Sequence, residues 1–153
     1  MRNCIASIVI YLLMAPALFA QENKNIISGN ILGASSALGL TFERIVGHKA
    51  SLEIGIGLIG LGAGLSIYPW GIIESRLCFY TGLKVSSIVL VDVGGGTVAY
   101  IPFGATYFIN NNWIIGFDIG PANGKLVSSS FGGNNSETVR FYGYGNLKLG
   151  VRF

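Results

Sequence analysis

The sequence predicts an all-β protein, an eight-stranded antiparallel up-and-down transmembrane β-barrel with its apolar face turned outward to lipid. Three observations carry that expectation. Of 153 residues, 51% are hydrophobic and only 11% charged, whereas soluble domains carry about 25% charged residues. Glycine is abundant, at 23 residues, and glycine is a poor helix former. Apolar and polar residues alternate with period two over most of the chain, as they do in strands whose two faces meet different surroundings.

The first twenty residues read as a separate segment. Arg2 supplies a positive start, Ile5 to Leu13 an apolar run, and Ala15-Pro16-Ala17-Leu18-Phe19-Ala20 an exit of mostly small residues. That layout is expected of a secretory signal peptide cleaved after Ala20, which leaves 21–153 as a single β-barrel domain. Leu18 is large for its place before the cut, and an uncleaved anchor helix is the alternative, for which the run is short. Cys4 precedes the apolar run and so is no lipid acceptor. Without Arg2, nine basic residues face seven acidic ones, and no basic stripe suggests nucleic acid. Only Cys78 follows the leader, so no intramolecular disulfide is expected.

After the polar stretch Glu22 to Lys24, eight strands are expected at about 26–34, 37–46, 50–59, 61–69, 76–90, 97–109, 113–127 and 139–153. Parity locates the turns. Ile27 and Ile31 are odd-numbered, whereas Leu38, Leu40 and Phe42 are even-numbered, so the alternation breaks across Gly33 to Ser36. A second break near Ile59-Gly60 separates Leu52, Ile54, Ile56 and Leu58 from Leu61, Leu65 and Ile67. A one-residue shift flips every side chain, so each break marks a turn or a β-bulge. Unbroken strands there would run to twice the roughly 9–11 residues that span a bilayer.

The later strands follow the same rule. Leu77, Phe79, Leu83 and Val85 oppose Arg76, Cys78, Tyr80, Lys84 and Ser86. Pro102 removes a ladder hydrogen bond in strand six and predicts a bulge or weak spot there. Trp113, Ile115, Phe117 and Ile119 oppose Ile114, Gly116, Asp118 and Gly120. The last strand is the clearest: Val139, Phe141, Leu147, Leu149, Val151 and Phe153 oppose Arg140, Tyr142, Tyr144, Asn146, Lys148 and Arg152.

Turns expected after even strands are short, at Gly47-His48-Lys49, Trp70 to Ser75 and Asn110-Asn111-Asn112. Those after odd strands include Val91 to Gly96 and the long Ser128 to Thr138. Short periplasmic turns and longer external loops are the habit of outer-membrane barrels. Phe42, Tyr68, Trp70, Phe79, Tyr107, Phe108, Trp113 and Phe153 are expected at the periplasmic rim, with Tyr68, Trp70, Tyr107 and Trp113 as interfacial aromatics. The inward set is expected to hold a charged network of Glu43, Glu53, Arg76, Lys84, Asp118, Arg140, Lys148 and Arg152, since buried charges are tolerable when paired.

Two rival folds are open to the same letters. A soluble ligand-binding barrel, lipocalin- or avidin-like, turns its apolar face inward, but its outer wall then needs more charge than this chain supplies. A membrane-spanning helix over Ile54 to Ile73 is long enough, but Pro69 interrupts it and the alternation favours strands.

Lys24 to Ile27, Leu40-Thr41-Phe42-Glu43-Arg44 and Ser51 to Gly55 resemble the opening hairpins of small outer-membrane β-barrel proteins of Gram-negative bacteria. That group is OmpA/OmpX-like, in versions common in Bacteroidota. The closing run Tyr144-Gly145-Asn146-Leu147-Lys148-Leu149-Gly150-Val151-Arg152-Phe153 is similar to their C-terminal assembly signal, carried by Tyr144, Leu147, Leu149, Val151 and Phe153. The resemblance implies an outer-membrane location in a Gram-negative bacterium. It also implies contact with outer-membrane lipids, and handling by periplasmic chaperones and the barrel-assembly machinery.

No motif points to catalysis. Leu90 to Thr97 resembles the phosphate-binding turn of actin-like ATPases, but that fold needs a second phosphate loop and a much longer chain. His48, the single histidine, is expected in a periplasmic turn without a nucleophile to serve. No cluster with metal-ligand spacing occurs, and no cofactor is expected. The expected role is structural or surface-interacting, non-enzymatic and monomeric. A narrow pore for small solutes and the soluble ligand-binding barrel are the alternatives.

Overall fold

The computed structural model describes residues 24–35, 37–90, 94–109, 112–129 and 136–153. The signal-peptide expectation for 1–20 therefore lies outside the described residues, as do residues 91–93 and 130–135 of the two long connections.

Alternating side chains produce nine strand segments: β1 (Asn25–Leu32), β2 (Leu38–Val46), β3 (Ala50–Gly57), β4 (Gly60–Ile67), β5 (Leu77–Leu90), β6 (Gly94–Tyr100), β7 (Phe103–Phe108), β8 (Trp113–Ser129) and β9 (Ser136–Arg152). All pairings are antiparallel, in the order β4-β3-β2-β1-β9-β8-β6-β5-β7, with β4–β5 and β8–β7 completing the ring. Segments β6 and β7 both lie between β5 and β8 and form two halves of one stave. The wall is thus a closed eight-stranded antiparallel barrel.

Pro102 explains the divided stave. It supplies no N–H for the ladder, and the strand stops at Tyr100 and resumes at Phe103. The Ile101 N–H still donates to the Pro121 carbonyl at 3.1 Å, so the neighbouring stave bridges the gap.

Both parity breaks are hairpins. Gly57 pairs with Gly60 across a tight turn, and the first break is the connection between β1 and β2. The connections expected at Ser128 to Thr138 and Val91 to Gly96 are shorter than the sequence suggests. β8 runs to Ser129, β9 starts at Ser136 and β6 starts at Gly94, because Gly and Ser that read as loop still pair across the sheet.

Lys24 and Phe153 mark what we call the proximal end, where Asn25 and Phe153 exchange backbone hydrogen bonds at 2.8 and 3.0 Å. The distal end carries the β1–β2, β3–β4 and β8–β9 connections. Outward positions are apolar: Leu40, Ile54, Ile56, Leu61, Phe79, Leu83, Phe103, Phe117, Ile119, Leu147 and Leu149 are all exposed. Inward positions are polar: Ser28, Thr41, Glu43, Ser51, Glu53, Ser66, Lys84, Ser86, Thr106, Asp118 and Lys148 are buried. With apolar side chains outside and Lys, Glu and Asp inside, where soluble proteins keep such charges mostly exposed, this wall is inverted relative to a soluble fold.

Candidate functional site

The polar interior is the one place where charge is concentrated among the described residues. Its centre is Asp118 on β8, with four donors around one carboxylate. Tyr80 Oη donates to Oδ2 at 2.5 Å, Lys84 Nζ at 3.0 Å and Asn146 Nδ2 at 3.2 Å, while Tyr100 Oη donates to Oδ1 at 3.0 Å. Lys84 Nζ also meets Glu53 Oε1 at 3.0 Å, without hydrogen-bond geometry. A second centre joins Lys148 Nζ to Glu43 Oε2 at 2.9 Å, with Ser51 Oγ donating to Glu43 Oε1 at 2.5 Å and Tyr68 Oη at 3.4 Å. Both ammonium groups lie over the Tyr80 ring, Lys84 Nζ 5.5 Å and Lys148 Nζ 5.3 Å from its centroid, within cation–π range.

The pairs are braces across the lumen. Lys84 on β5 reaches β3 past β4 and reaches β8 past the β6/β7 stave, and Lys148 on β9 reaches β2 past β1. Each ion pair therefore skips one stave and ties strands that share no ladder. Inward glycines leave the room they need: a Cβ on Gly116 would lie 2.8 Å from Lys148 Cε, and one on Gly104 would lie 2.5 Å from Asp118 Cβ.

Of the eight charged residues expected inside, Glu43, Glu53, Lys84, Asp118 and Lys148 meet in the interior. Three do not join them. Arg76 is exposed, because β5 begins only at Leu77 and leaves it in the preceding turn. Arg152 sits at the proximal rim, 3.2 Å from the exposed Glu74 and 5.8 Å from the Phe108 ring. Arg140 is exposed because of a β-bulge. Below it, even-numbered β9 residues pair with even-numbered, inward β8 residues, as Lys148 does with Gly116. The register shift between Pro121 and Gly124 then sets Arg140 opposite Lys125, which is exposed.

The expected aromatic rim also divides. Trp70, Tyr107 and Trp113 are exposed at the proximal end, with Trp70 edge-on to Phe79 at 6.4 Å. Tyr68 and Phe108 do not join the exposed rim: both are buried. Each continues the inward parity of its strand, Tyr68 beyond Ser66 and Phe108 beyond Thr106. Tyr68 stacks on Tyr80 at 5.4 Å, and both join Ile26, Ile45, Cys78 and Ile114 in an apolar floor that Ile72 covers from the β4–β5 connection. In the last strand Leu147, Leu149, Val151 and Phe153 are exposed, whereas Tyr144 points in and packs on Tyr100 at 5.1 Å.

Sequence reasoning missed the distal closure. Gly33–Ser35 form a single 3-10 turn that is wholly buried inside the barrel mouth. Leu32 enters it with φ +66°, a left-handed conformation that costs a non-glycine residue about 1 kcal/mol or more. Gly55, Gly57 and Gly62 make the space: a Cβ on Gly57 would lie 1.7 Å from the Ser35 carbonyl oxygen, and one on Gly62 2.6 Å from that of Ala34. The only signal in the sequence is the cluster of inward glycines on β3 and β4, which also suits any crowded interior. Tyr80, Tyr100 and Asn146 had the inward parity but no feature to mark them as ligands of Asp118.

Ile88, Val98, Tyr100 and Tyr144 form a second apolar cluster toward the distal end. The network is thus bounded by apolar side chains on both sides and capped by the 3-10 turn. His48 is exposed in its turn, and its carbonyl accepts the Ile72 N–H at 2.9 Å. Among the described residues no group of His, Cys, Asp and Glu is placed to hold a metal ion. No protein-family model matches the chain, and no curated protein is significantly similar to it.

Proposed function

We propose that this protein is an integral outer-membrane β-barrel of a Gram-negative bacterium, sealed and non-enzymatic, with a structural or surface-interaction role. One observation carries the reading: the wall is inverted, with apolar side chains outside and paired charges inside. Transfer of the outward row from lipid to water would cost about 25 cal/mol per Å² of apolar surface. A closed barrel also satisfies every strand edge, which a bilayer requires. The apolar run in the first twenty residues supports export. The exposed Trp70, Tyr107 and Trp113 suit an interfacial girdle, and the outward row Leu147, Leu149, Val151 and Phe153 suits recognition by the barrel-assembly machinery after chaperoned transit. We read the mature form as a monomer in contact with outer-membrane lipids and with no nucleic-acid partner.

The braced lumen and buried 3-10 turn favour a sealed barrel over a narrow pore. The inverted wall argues against a soluble lipocalin-like carrier, whose ligand needs an apolar inside. Fractionation and heat-modifiable migration on SDS gels test the location: the protein is expected in the membrane fraction, with an unboiled band that migrates faster than the boiled one. Recovery in the soluble periplasm overturns the proposal. In planar bilayers the purified barrel is expected to show no regular conductance steps, and uniform steps would favour the pore.

A further inference from the structure

The bulge that turns Arg140 outward builds a cationic row on the outer wall. Thr97 on β6, Lys125 on β8 and Arg140 on β9 are successive cross-strand partners, all three exposed. Like charges directly opposite one another destabilise a sheet, and neither Lys125 nor Arg140 forms an ion pair among the described residues. Asn123 and the exposed Tyr142 flank the row, and with Ala122 and Gly124 they line a hollow of about 550 Å³. Just below, the outward positions Gly145 and Gly143 carry no side chain, and the space over Gly143 is open. Below those lie Ile119, Phe117, Leu147 and Leu149, all exposed.

The height of the row is informative. From Trp113 to Lys125 the strand advances twelve residues. At about 3.4 Å each and a tilt of about 40°, it climbs roughly 30 Å, against an apolar band about 25 Å tall. With Trp113 at one interface, the row sits just beyond the other, at headgroup level. Anionic headgroups draw exposed Lys and Arg at that level, and planar guanidinium suits phosphate geometry.

We propose that the row Thr97–Lys125–Arg140, with Asn123 and Tyr142, is a docking site for the phosphate headgroup of an anionic membrane lipid, its acyl chains lying on the apolar wall below Gly143. The site rests on the membrane reading above. The two cations relieve their mutual repulsion on the phosphate, and Thr97, Asn123 and Tyr142 offer further hydrogen bonds.

The test uses the full protein inserted in vesicles of equal phosphatidylglycerol and phosphatidylcholine, then extracted in mild detergent, with co-purifying lipid counted by native mass spectrometry. Wild type is expected to retain phosphatidylglycerol preferentially. The Lys125→Gln/Arg140→Gln pair is expected to lose about 25-fold of that preference, at roughly fivefold per cation, and the charge-conserving Lys125→Arg/Arg140→Lys pair to keep most of it. Equal preference in wild type and the Gln pair overturns the site while leaving the membrane reading intact. Binding of inorganic phosphate to the lipid-free, detergent-solubilised wild type with a Kd of about 1 mM or tighter, lost in the Gln pair while neither protein retains lipid, overturns the commitment to lipid. Failure of the folded protein to insert overturns both readings together.

Discussion

Removing the Lys84 ammonium is the sharpest test of the braced interior. Its side chain is fully buried and its Nζ lies 3.0 Å from both Asp118 Oδ2 and Glu53 Oε1. Three carboxylates, Glu43, Glu53 and Asp118, share the interior with two ammonium groups, Lys84 and Lys148, so its formal charge is −1. Lys84→Met takes it to −2 and leaves two carboxylates without their cation. Stranding one partner of a buried pair costs about 3–5 kcal/mol, and two stranded partners put this variant at the upper end. With a urea slope of about 2 kcal/mol per M, the unfolding midpoint falls by about 2.5 M. The assay is urea unfolding of the barrel refolded in vesicles, followed by Trp70 and Trp113 emission and by heat-modifiable mobility. The triple variant Lys84→Met/Glu53→Gln/Asp118→Asn removes the charges together and is expected to recover more than half of the loss, because neutral isosteres carry no desolvation penalty of comparable size. A Lys84→Met midpoint within about 0.3 M of wild type, a loss of only about 0.6 kcal/mol at that slope, would refute the brace.

Other substitutions separate the remaining parts of the structure. Tyr80→Phe keeps the ring and deletes the 2.5 Å bond to Asp118; loss of a hydrogen bond to a charged group is expected to cost about 1.5–3 kcal/mol in the same unfolding assay. Arg76→Gln and Arg140→Gln, both at exposed positions, are expected to stay within about 0.5 kcal/mol of wild type, and a loss comparable to that of Lys84→Met would return them to the interior. Gly57→Ala sets a methyl 1.7 Å from the Ser35 carbonyl oxygen and should drive the 3-10 turn out of the mouth. In a Cys78→Ser background, Ala34→Cys is expected to resist a bulky maleimide until Gly57→Ala is added; equal labelling with and without it would mean the turn is not held inside.

Strand existence and facing were legible because a period of two is a local property. Each of Phe79, Tyr80, Leu83 and Lys84 points where its parity requires, whatever the distant strands do. The same rule holds at Tyr68 and Phe108: both sit near the proximal end, where aromatics suit a girdle, yet each keeps the inward parity of its strand. Arg140 is the opposite case. Local parity turns it inward, but the bulge opposite Tyr142 comes from pairing with β8, and nothing within residues 139–153 encodes it.

The candidate interior was legible as a set and not as a geometry. Glu43, Glu53, Lys84, Asp118 and Lys148 are separated by up to 105 positions in their pairs, and only closure of the ring brings them within 3.0 Å of their partners. That closure also selects Tyr80, Tyr100 and Asn146 as the donors that surround Asp118.

By itself the sequence determined the all-β class, the outward apolar row, the inward polar row and the weak point at Pro102. All of these follow from alternation and from backbone chemistry at single residues. The tertiary structure alone decided which charges meet, that the sixth stave is divided but bridged, and that Gly33–Ser35 fold into the mouth under Gly55, Gly57 and Gly62. Those outcomes depend on which strands stand opposite one another around a closed ring, and register across a ring is set by every strand together.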